Sequence, residues 1–560
     1  MLRNVLEDYL SSIKERDFDY PLTVLLHAMG FYDIHLTDGG SEIGKDFIAK
    51  RIEDGVKYQY VIQSKRGNIN QIKFRDKILG QLLEAVVLKK LSHPQLDTTL
   101  PQKTILVSTG ELKDNAILEL REFNNTLKDK YEEVEFWGKN RLIEFSEQYG
   151  LTGVHQTTAK GLTGFAQFYL SYSKAIEGSL SDREIEELSR FWLDGSIEYR
   201  KRILRATIEA DIIATKLSES GFLYEAITAY LALARMVLQV TYQHDDAFVV
   251  EIYKEIVEEK LIPLSRQFFT QLKSQWEEEE KSLLHLCLKQ SPFPMLHYLV
   301  WCARVLETVS LYFFLLNDKE GEEYRAEQRE AISFMLDFIE QEEGCGHIPS
   351  DRYSVSIVWA TLALIQSGNT DKAINLVKRC VIWLCDRVEK GFGIARYEAD
   401  EYTETATLIG YPFEFIKVEQ NISSLLATIL CDLAAFIGGQ RLYSDVFNDL
   451  EACELVYNYW QFPDTEGIFT IDTEDCTTYP NVPYQDSIGS FEDYDYAEHI
   501  KHEPGSFQVT QKAGMNSLIL LSMLLKDRYF PKMWRQIISQ DAPLKSPQKP
   551  KKAPLKQVAF

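Results

Sequence analysis

Residues 58–67 read YQYVIQSKRG. The stretch is an alternating strand pattern, and in an extended chain the side chains at i and i+2 share a face. Gln63 and Lys65 therefore point the same way, with Val61 before them, and Arg66 and Gly67 follow at once. A half-buried strand gains nothing in packing from an amide beside an ammonium. The neighbouring sequence supplies a second strand pattern, DFIAKRI (46–52), joined to VKYQYVIQSK (56–65) through Glu53-Asp54-Gly55. Asp-Gly between alternating segments is a strong hairpin signal. Closing that hairpin can bring Asp46, at the start of one arm, close to Gln63 and Lys65 on the other.

Around the hairpin, residues 1–150 alternate helix and strand signals. Phe18–Met29 reads as a helix with Pro21 in its first turn and Leu22, Leu25, Leu26 and Met29 at helical spacing. A helix over about 78–91, a strand TILVS (104–108), a helix from near Asp114, a short strand around Val134–Phe136 and a helix opening at Asn140 follow. The sum is a small α/β domain, with a mixed central sheet flanked by helices, over residues 1–155. From residue 160 to 540 helix-period segments dominate, so the remainder is read as a large all-α domain. SGFLYEAITAYLALARM and SGNTDKAINLVKRCVIW share a Ser-Gly, spacer, Ala-Ile pattern that suits helix-hairpin repeats; a closed ring of helix pairs is the alternative. Residues 461–505 read as an acidic, aromatic, turn-rich insertion, and the Pro- and Lys-rich tail 541–560 as disordered.

The chain of 560 residues has a formal net charge of −23, which argues against a polyanionic partner, because nucleic-acid affinity comes largely from neutralising phosphates. The average conceals a local exception. Residues 43–90, around the Gln-x-Lys strand, hold 11 basic and 5 acidic side chains. A solvated basic face is the plain reading of such an excess. The N-terminus lacks an apolar leader pattern, and the longest apolar stretch, 297–316, is interrupted by Arg304 and Glu307. A cytoplasmic protein without a membrane partner is expected, with its eight cysteines, none in a CxxC pair, as reduced thiols.

Asp46, Gln63 and Lys65 would place a carboxylate, an amide oxygen and an ammonium in one pocket, with Glu42 or Asp19 available as a further oxygen ligand. That set fits phosphodiester cleavage with Mg²⁺ or Mn²⁺. Mg²⁺ takes hard oxygen ligands and often only one or two carboxylates, and a lysine can orient the attacking water or offset charge on the phosphate. Arg66, with Lys45 and Lys73, would grip neighbouring phosphates. Polar residues exposed on a hairpin give the same pattern without any chemistry.

The order of these residues resembles the Mrr-type catalytic domain of the PD-(D/E)xK nuclease superfamily. Leu25, Leu26, Met29, Gly30 and Phe31 match its helix ending, Glu42, Gly44 and Asp46 its Gly- and acid-rich loop and strand start, and Gln63 and Lys65 its Gln-x-Lys. ILVSTGELKDNAILELREF and VEFWGKNRLIEF resemble its later strand-helix segments, so the likeness spans residues 15–150. It implies a restriction-endonuclease-like fold, Asp46 and Gln63 as metal ligands, and DNA as substrate. Gln63 stands where the superfamily commonly has a second acid, a replacement that Mrr-like members share. Asp19 occupies the place of a frequent helix glutamate. Nothing similar covers residues 160–560.

GGSEIGKD (39–46) approaches a phosphate-binding loop but puts Asp46 where a Ser or Thr is needed and leads into a strand. HIKHE (499–503) has neither order of a zinc-peptidase helix, and Cys345 with His347 lacks a second pair. The expectation is a metal-dependent endodeoxyribonuclease in anti-phage or restriction-type defence. Its acidic helical domain would answer to an unknown protein or small-molecule activator or drive homo-oligomerisation. A non-cleaving nucleic-acid-binding or scaffold protein and an RNA-cleaving nuclease are the alternatives.

Overall fold

At the tip of the hairpin, Asp54 and Gly55 both take positive φ, +48° and +79°, the pair of left-handed residues that a two-residue turn between twisted strands requires. They join β2 (Phe47–Glu53) to β3 (Val56–Lys65), with Glu53 opposite Val56 and Phe47 opposite Ile62. The computed structural model describes residues 2–37, 46–87, 95–97, 99–128, 131–151, 159–290, 293–317, 319–397, 399–410, 423–457, 460–461, 477–478, 512–514, 516–524 and 526. Among them the chain forms two compact units, Met1–Val240 and Thr241–Phe560.

The first unit holds a five-stranded sheet in the order β1 (Tyr32–Leu36), β2, β3, β4 (Gln102–Ser108), β5 (Val134–Trp137). The β1–β2 and β2–β3 pairs are antiparallel; β3–β4 and β4–β5 are parallel. It is a mixed sheet, as the alternation of signals predicts. Helices flank it: α1 (Leu2–Ser12), α2 (Glu15–Ala28), α3 (Leu79–Val87), α4 (Ala116–Leu127) and α5 (Lys139–Ser146). Phe74, Ile78, Leu82 and Val86 pack with Leu106 of β4, Val134 of β5 and Leu120, Phe123 and Leu127 of α4. Emptying one large site in such a core costs about 3–5 kcal/mol. A second aromatic group joins Phe31 to Tyr60 at 4.8 Å and Trp137 to Phe145 at 4.9 Å, both edge to face.

Two local expectations are corrected. Helix α2 begins at Glu15, so Pro21 lies in its interior and not in its first turn. Proline there removes a backbone donor, and the helix is held instead by the burial of Phe18, Tyr20, Leu22, Leu25 and Leu26. The helical run before β4 starts at Gln71, where the Asn70 side chain accepts the Lys73 amide at 2.8 Å. It passes through one wide turn, Phe74–Ile78, into α3.

The compact unit also extends past the change of composition near residue 155. It takes in α6 (Ala159–Glu177), α7 (Asp182–Arg190), α8 (Tyr199–Glu219) and most of α9 (Leu223–Gln243). The cause is a set of buried long-range bonds. Tyr9 of α1 donates to Asp211 Oδ2 of α8 at 2.6 Å, Tyr230 of α9 donates to Asp211 Oδ1, and Tyr20 of α2 meets Thr207 of α8 at 3.3 Å.

The second unit is helical. Helices α10 (Ala247–Glu255), α11 (Ile262–Glu278), α12 (Leu283–Gln290) and α13 (Pro294–Leu315) lead into α14 (Glu322–Gln341), α15 (Ser354–Gln366), α16 (Thr370–Glu389), α17 (Glu401–Ile409), α18 (Leu425–Ala452) and α19 (Asn516–Leu524). Helix α13 is central, packing against α11, α12, α14 and α15, and α15 packs in turn on α16 and α18. Among the described residues three helices, α9, α13 and α18, are long and apolar enough to cross a membrane by length and composition; 100%, 89% and 61% of their apolar windows are buried within the protein. Of the insertion read at 461–505, only Gln461 and Thr477–Thr478 belong to the described residues, where Trp460–Gln461 pairs with Thr477–Thr478. The tail 541–560 lies outside the described residues.

Candidate active site

Asp46 sits one residue before β2, with its amide donating to Ile62 O at 3.0 Å and its carbonyl accepting from Thr37 N at 3.0 Å. Both bonds tie Asp46 to the sheet, immediately before the Phe47–Ile62 pair that ends the β2–β3 ladder. The side chains meet. Gln63 Nε2 donates to Asp46 Oδ2 at 3.0 Å, the Ser64 amide donates to the same oxygen at 2.6 Å, and Lys65 Nζ stands 3.6 Å from it. Main chain, amide and ammonium thus converge on one carboxylate.

The environment is partly closed. Gln63 is 1% exposed, and the side chains of Lys65 and Asp46 are 14% and 25% exposed. Gln63 Oε1 is buried and has no hydrogen-bond partner among the described residues. An orphaned buried carbonyl oxygen is costly, about 1–3 kcal/mol, unless something occupies it. A hard divalent cation fits this donor set, because Asp46 and Gln63 offer it oxygens only. Among the described residues no group of three or more His, Cys, Asp or Glu stands together.

The other expected residues are distributed as follows. Arg66 is exposed and has no ion-pair partner among the described residues. Lys73 reaches back to donate to Arg66 O at 2.6 Å, which places its ammonium beside the end of β3. Asp19 stands on a different element, α2, half-buried, with its carbonyl accepting from the Thr23 hydroxyl at 2.9 Å. Glu42 and Lys45 lie outside the described residues, as does the rest of the loop 38–45. The segment after that loop is a strand, which removes the phosphate-loop reading of GGSEIGKD. Cys345 is buried and His347 stacks on Trp383 at 4.3 Å; HIKHE lies outside the described residues.

Part of the basic excess is neutralised. Lys50 pairs with Asp33, Arg51 with Glu53 at 3.3 Å, and Arg75 with Glu119. The uncommitted positive charge that remains includes Arg66, next to the converging group.

Beyond Lys65, the chain is fastened to the end of β4 by residues outside the expected site set, in the strand-Thr-Gly-helix segment of the resemblance. Lys65 pairs with Ser108 in the parallel ladder. Thr109 N donates to Lys65 O at 3.1 Å, Gly67 N donates to Thr109 Oγ1 at 2.9 Å, and Ser108 Oγ donates to Gly67 O at 2.7 Å. Ser-Thr-Gly at the end of a strand is the local signal for this arrangement.

Comparison with curated proteins and with solved structures found no match. A family model does match, and it covers the β-sheet, the hairpin and all three converging side chains. Residues 10–145 match the Mrr_cat model, described as restriction endonuclease, and this segment of the chain is the restriction-endonuclease-like catalytic domain that its residue order resembles.

Proposed function

We propose that this protein is a metal-dependent endonuclease that cleaves DNA phosphodiester bonds, gated by its helical remainder and acting in the bacterial cytoplasm against phage or other foreign DNA. One observation carries the reading: Asp46, Gln63 and Lys65 converge within a segment that matches a restriction endonuclease model. Asp46 and Gln63 Oε1 would hold Mg²⁺ or Mn²⁺, with Glu42 or Asp19 completing the oxygen set. When bound, the ion supplies a lowered pKa for a water and charge stabilisation at the phosphate. Lys65 would orient that water or donate to the phosphoryl oxygen, while Arg66, Lys73 and Lys45 bind adjacent phosphates and hold the backbone in register.

The helical remainder carries most of the net charge of −23 and is poorly suited to a polyanion. Its role in this reading is to sense a protein or small-molecule activator or to assemble copies of the chain. Gln63 in place of a second acid favours one other reading, nucleic-acid binding without cleavage.

The test is incubation of the full-length protein with plasmid DNA and Mg²⁺ or Mn²⁺, beside Asp46→Ala and Lys65→Ala. Metal-dependent cutting lost in both variants supports the nuclease. Tight DNA binding by wild type without cutting, in the presence of lysate from phage-infected cells as a source of activator, refutes it. Substituting an RNA of matched length separates the two nucleic acids.

A further inference from the structure

The geometry assigns Thr109 the part of a positioning residue for Lys65; this inference rests on the nuclease reading and concerns the same site. A lysine ammonium rides on a flexible four-carbon stem, so its placement depends on how firmly its own backbone is held. Catalytic groups must keep their geometry to a fraction of an ångström. At Lys65 the strand is about to end, and strand ends fray unless something beyond the ladder ties them.

Here the tie is made by three consecutive residues of the neighbouring strand's exit. Thr109 acts twice. Its amide donates to Lys65 O at 3.1 Å, and its hydroxyl oxygen accepts from Gly67 N at 2.9 Å. Arg66 is therefore bracketed by two bonds to a single residue. Ser108 Oγ closes the other side by donating to Gly67 O at 2.7 Å. Ser108 and Thr109 are 0% and 1% exposed, so their ends of these bonds are shielded from water.

Two glycines shape this junction, for different reasons: φ at Gly67 and a close backbone approach at Gly110. Gly67 has φ of +67°, a left-handed conformation that glycine adopts without steric cost. A Cβ at Gly110 would lie 2.3 Å from Gly67 C and 2.3 Å from Asn68 N. Thr109 is thus pressed against the turn that follows Lys65, and its hydroxyl is the group of this side chain that accepts the partly buried Gly67 amide. The consequence is a Lys65 main chain fixed on both sides, with its ammonium held 3.6 Å from Asp46.

The experiment compares full-length wild type, Thr109→Val and Thr109→Ser in Mg²⁺- or Mn²⁺-dependent plasmid cleavage, with kcat and KM separated and the pH profile recorded. Valine keeps the shape and removes the acceptor; serine restores it. The expected result is a fall of kcat by about 10- to 100-fold in Thr109→Val with KM unchanged, and recovery to within a few-fold of wild type in Thr109→Ser. Should Thr109→Val fail to fold, amide hydrogen exchange at Gly67 is read in wild type and in Thr109→Ser, with strong protection expected in both. Wild-type cleavage that Thr109→Val matches, or rapid exchange at Gly67, overturns the positioning role alone. No cleavage by wild type under any activating condition overturns the nuclease reading, and this inference with it.

Discussion

Asp46 Oδ2 faces Lys65 Nζ at 3.6 Å while accepting the Ser64 amide at 2.6 Å. One carboxylate oxygen is therefore held by main chain and aimed at an ammonium, so its charge can be removed without removing its hydrogen-bond acceptor. Asp46→Asn keeps an oxygen for the Ser64 amide and loses the negative charge that a metal needs. Cleavage of plasmid DNA is expected to fall by at least about 100-fold, with a thermal unfolding curve close to wild type. Lys65→Met, which keeps the stem, is expected to do the same. Wild-type rates in either variant, measured under single-turnover conditions, would exclude the assigned roles.

Gln63 offers a separate test, because its amide nitrogen is used by Asp46 and its buried oxygen has no partner among the described residues. Gln63→Glu supplies a second carboxylate beside Asp46. Without metal, two like charges side by side destabilise the fold; with metal, each adds a ligand. The melting temperature of Gln63→Glu is expected to start below wild type and to rise more steeply with added Mg²⁺, as binding to the folded state alone requires. Cleavage is expected to persist, with half-saturation at lower Mg²⁺. Gln63→Leu removes both functions and is expected to abolish metal-induced stabilisation. Equal Mg²⁺ responses in all three proteins would show that Gln63 touches no ion.

What was readable in the sequence follows the range of the forces involved. The Asp54-Gly55 turn and the meeting of Asp46 with Gln63 and Lys65 were legible because φ preference and the two-residue strand period are local properties. The helix start at Gln71 was missed, although Asn70 is a good cap. Pro21 misled because tertiary burial overrode its local preference. Thr109 and Ser108 act across 42 and 41 residues respectively, and Asp211 reaches Tyr9 across 202. No pattern within one element announces such partners, and so the reach of the first unit to residue 240 was invisible.

That reach makes a prediction about fragments. A chain ending at 155 contains the β-sheet but lacks α8, leaving the Tyr9 hydroxyl without Asp211 and Tyr20 without Thr207. It is expected to aggregate or to unfold without a cooperative transition. A chain ending at 240 retains these buried bonds and is expected to show one sharp melt by near-ultraviolet circular dichroism. A sharp melt of the shorter fragment at the temperature of the longer one would rule out this account of the domain boundary.

The same buried group sets a pH dependence. Burial, and then the neighbouring Asp211 charge, push the hydroxyls of Tyr9 and Tyr230 well above their ordinary value, which is about 10. In the unfolded chain both ionise near pH 10, while in the folded chain both stay protonated as donors to Asp211. Above that pH the unfolded state binds fewer protons, so stability is complete below pH about 10 and is lost as pH rises toward the folded-state values. Tyr9→Phe removes one of the two groups. At pH 8 it is expected to lower stability by about 1.5–3 kcal/mol, the worth of a hydrogen bond to a charged acceptor. Between pH 10 and 11 its stability is expected to fall less steeply than that of wild type, since one titrating hydroxyl is gone. Urea unfolding of both proteins from pH 8 to 11 measures the two slopes. Parallel slopes would mean that Tyr9 is not held protonated by the fold, and that the buried bond to Asp211 does not fasten α1 to α8.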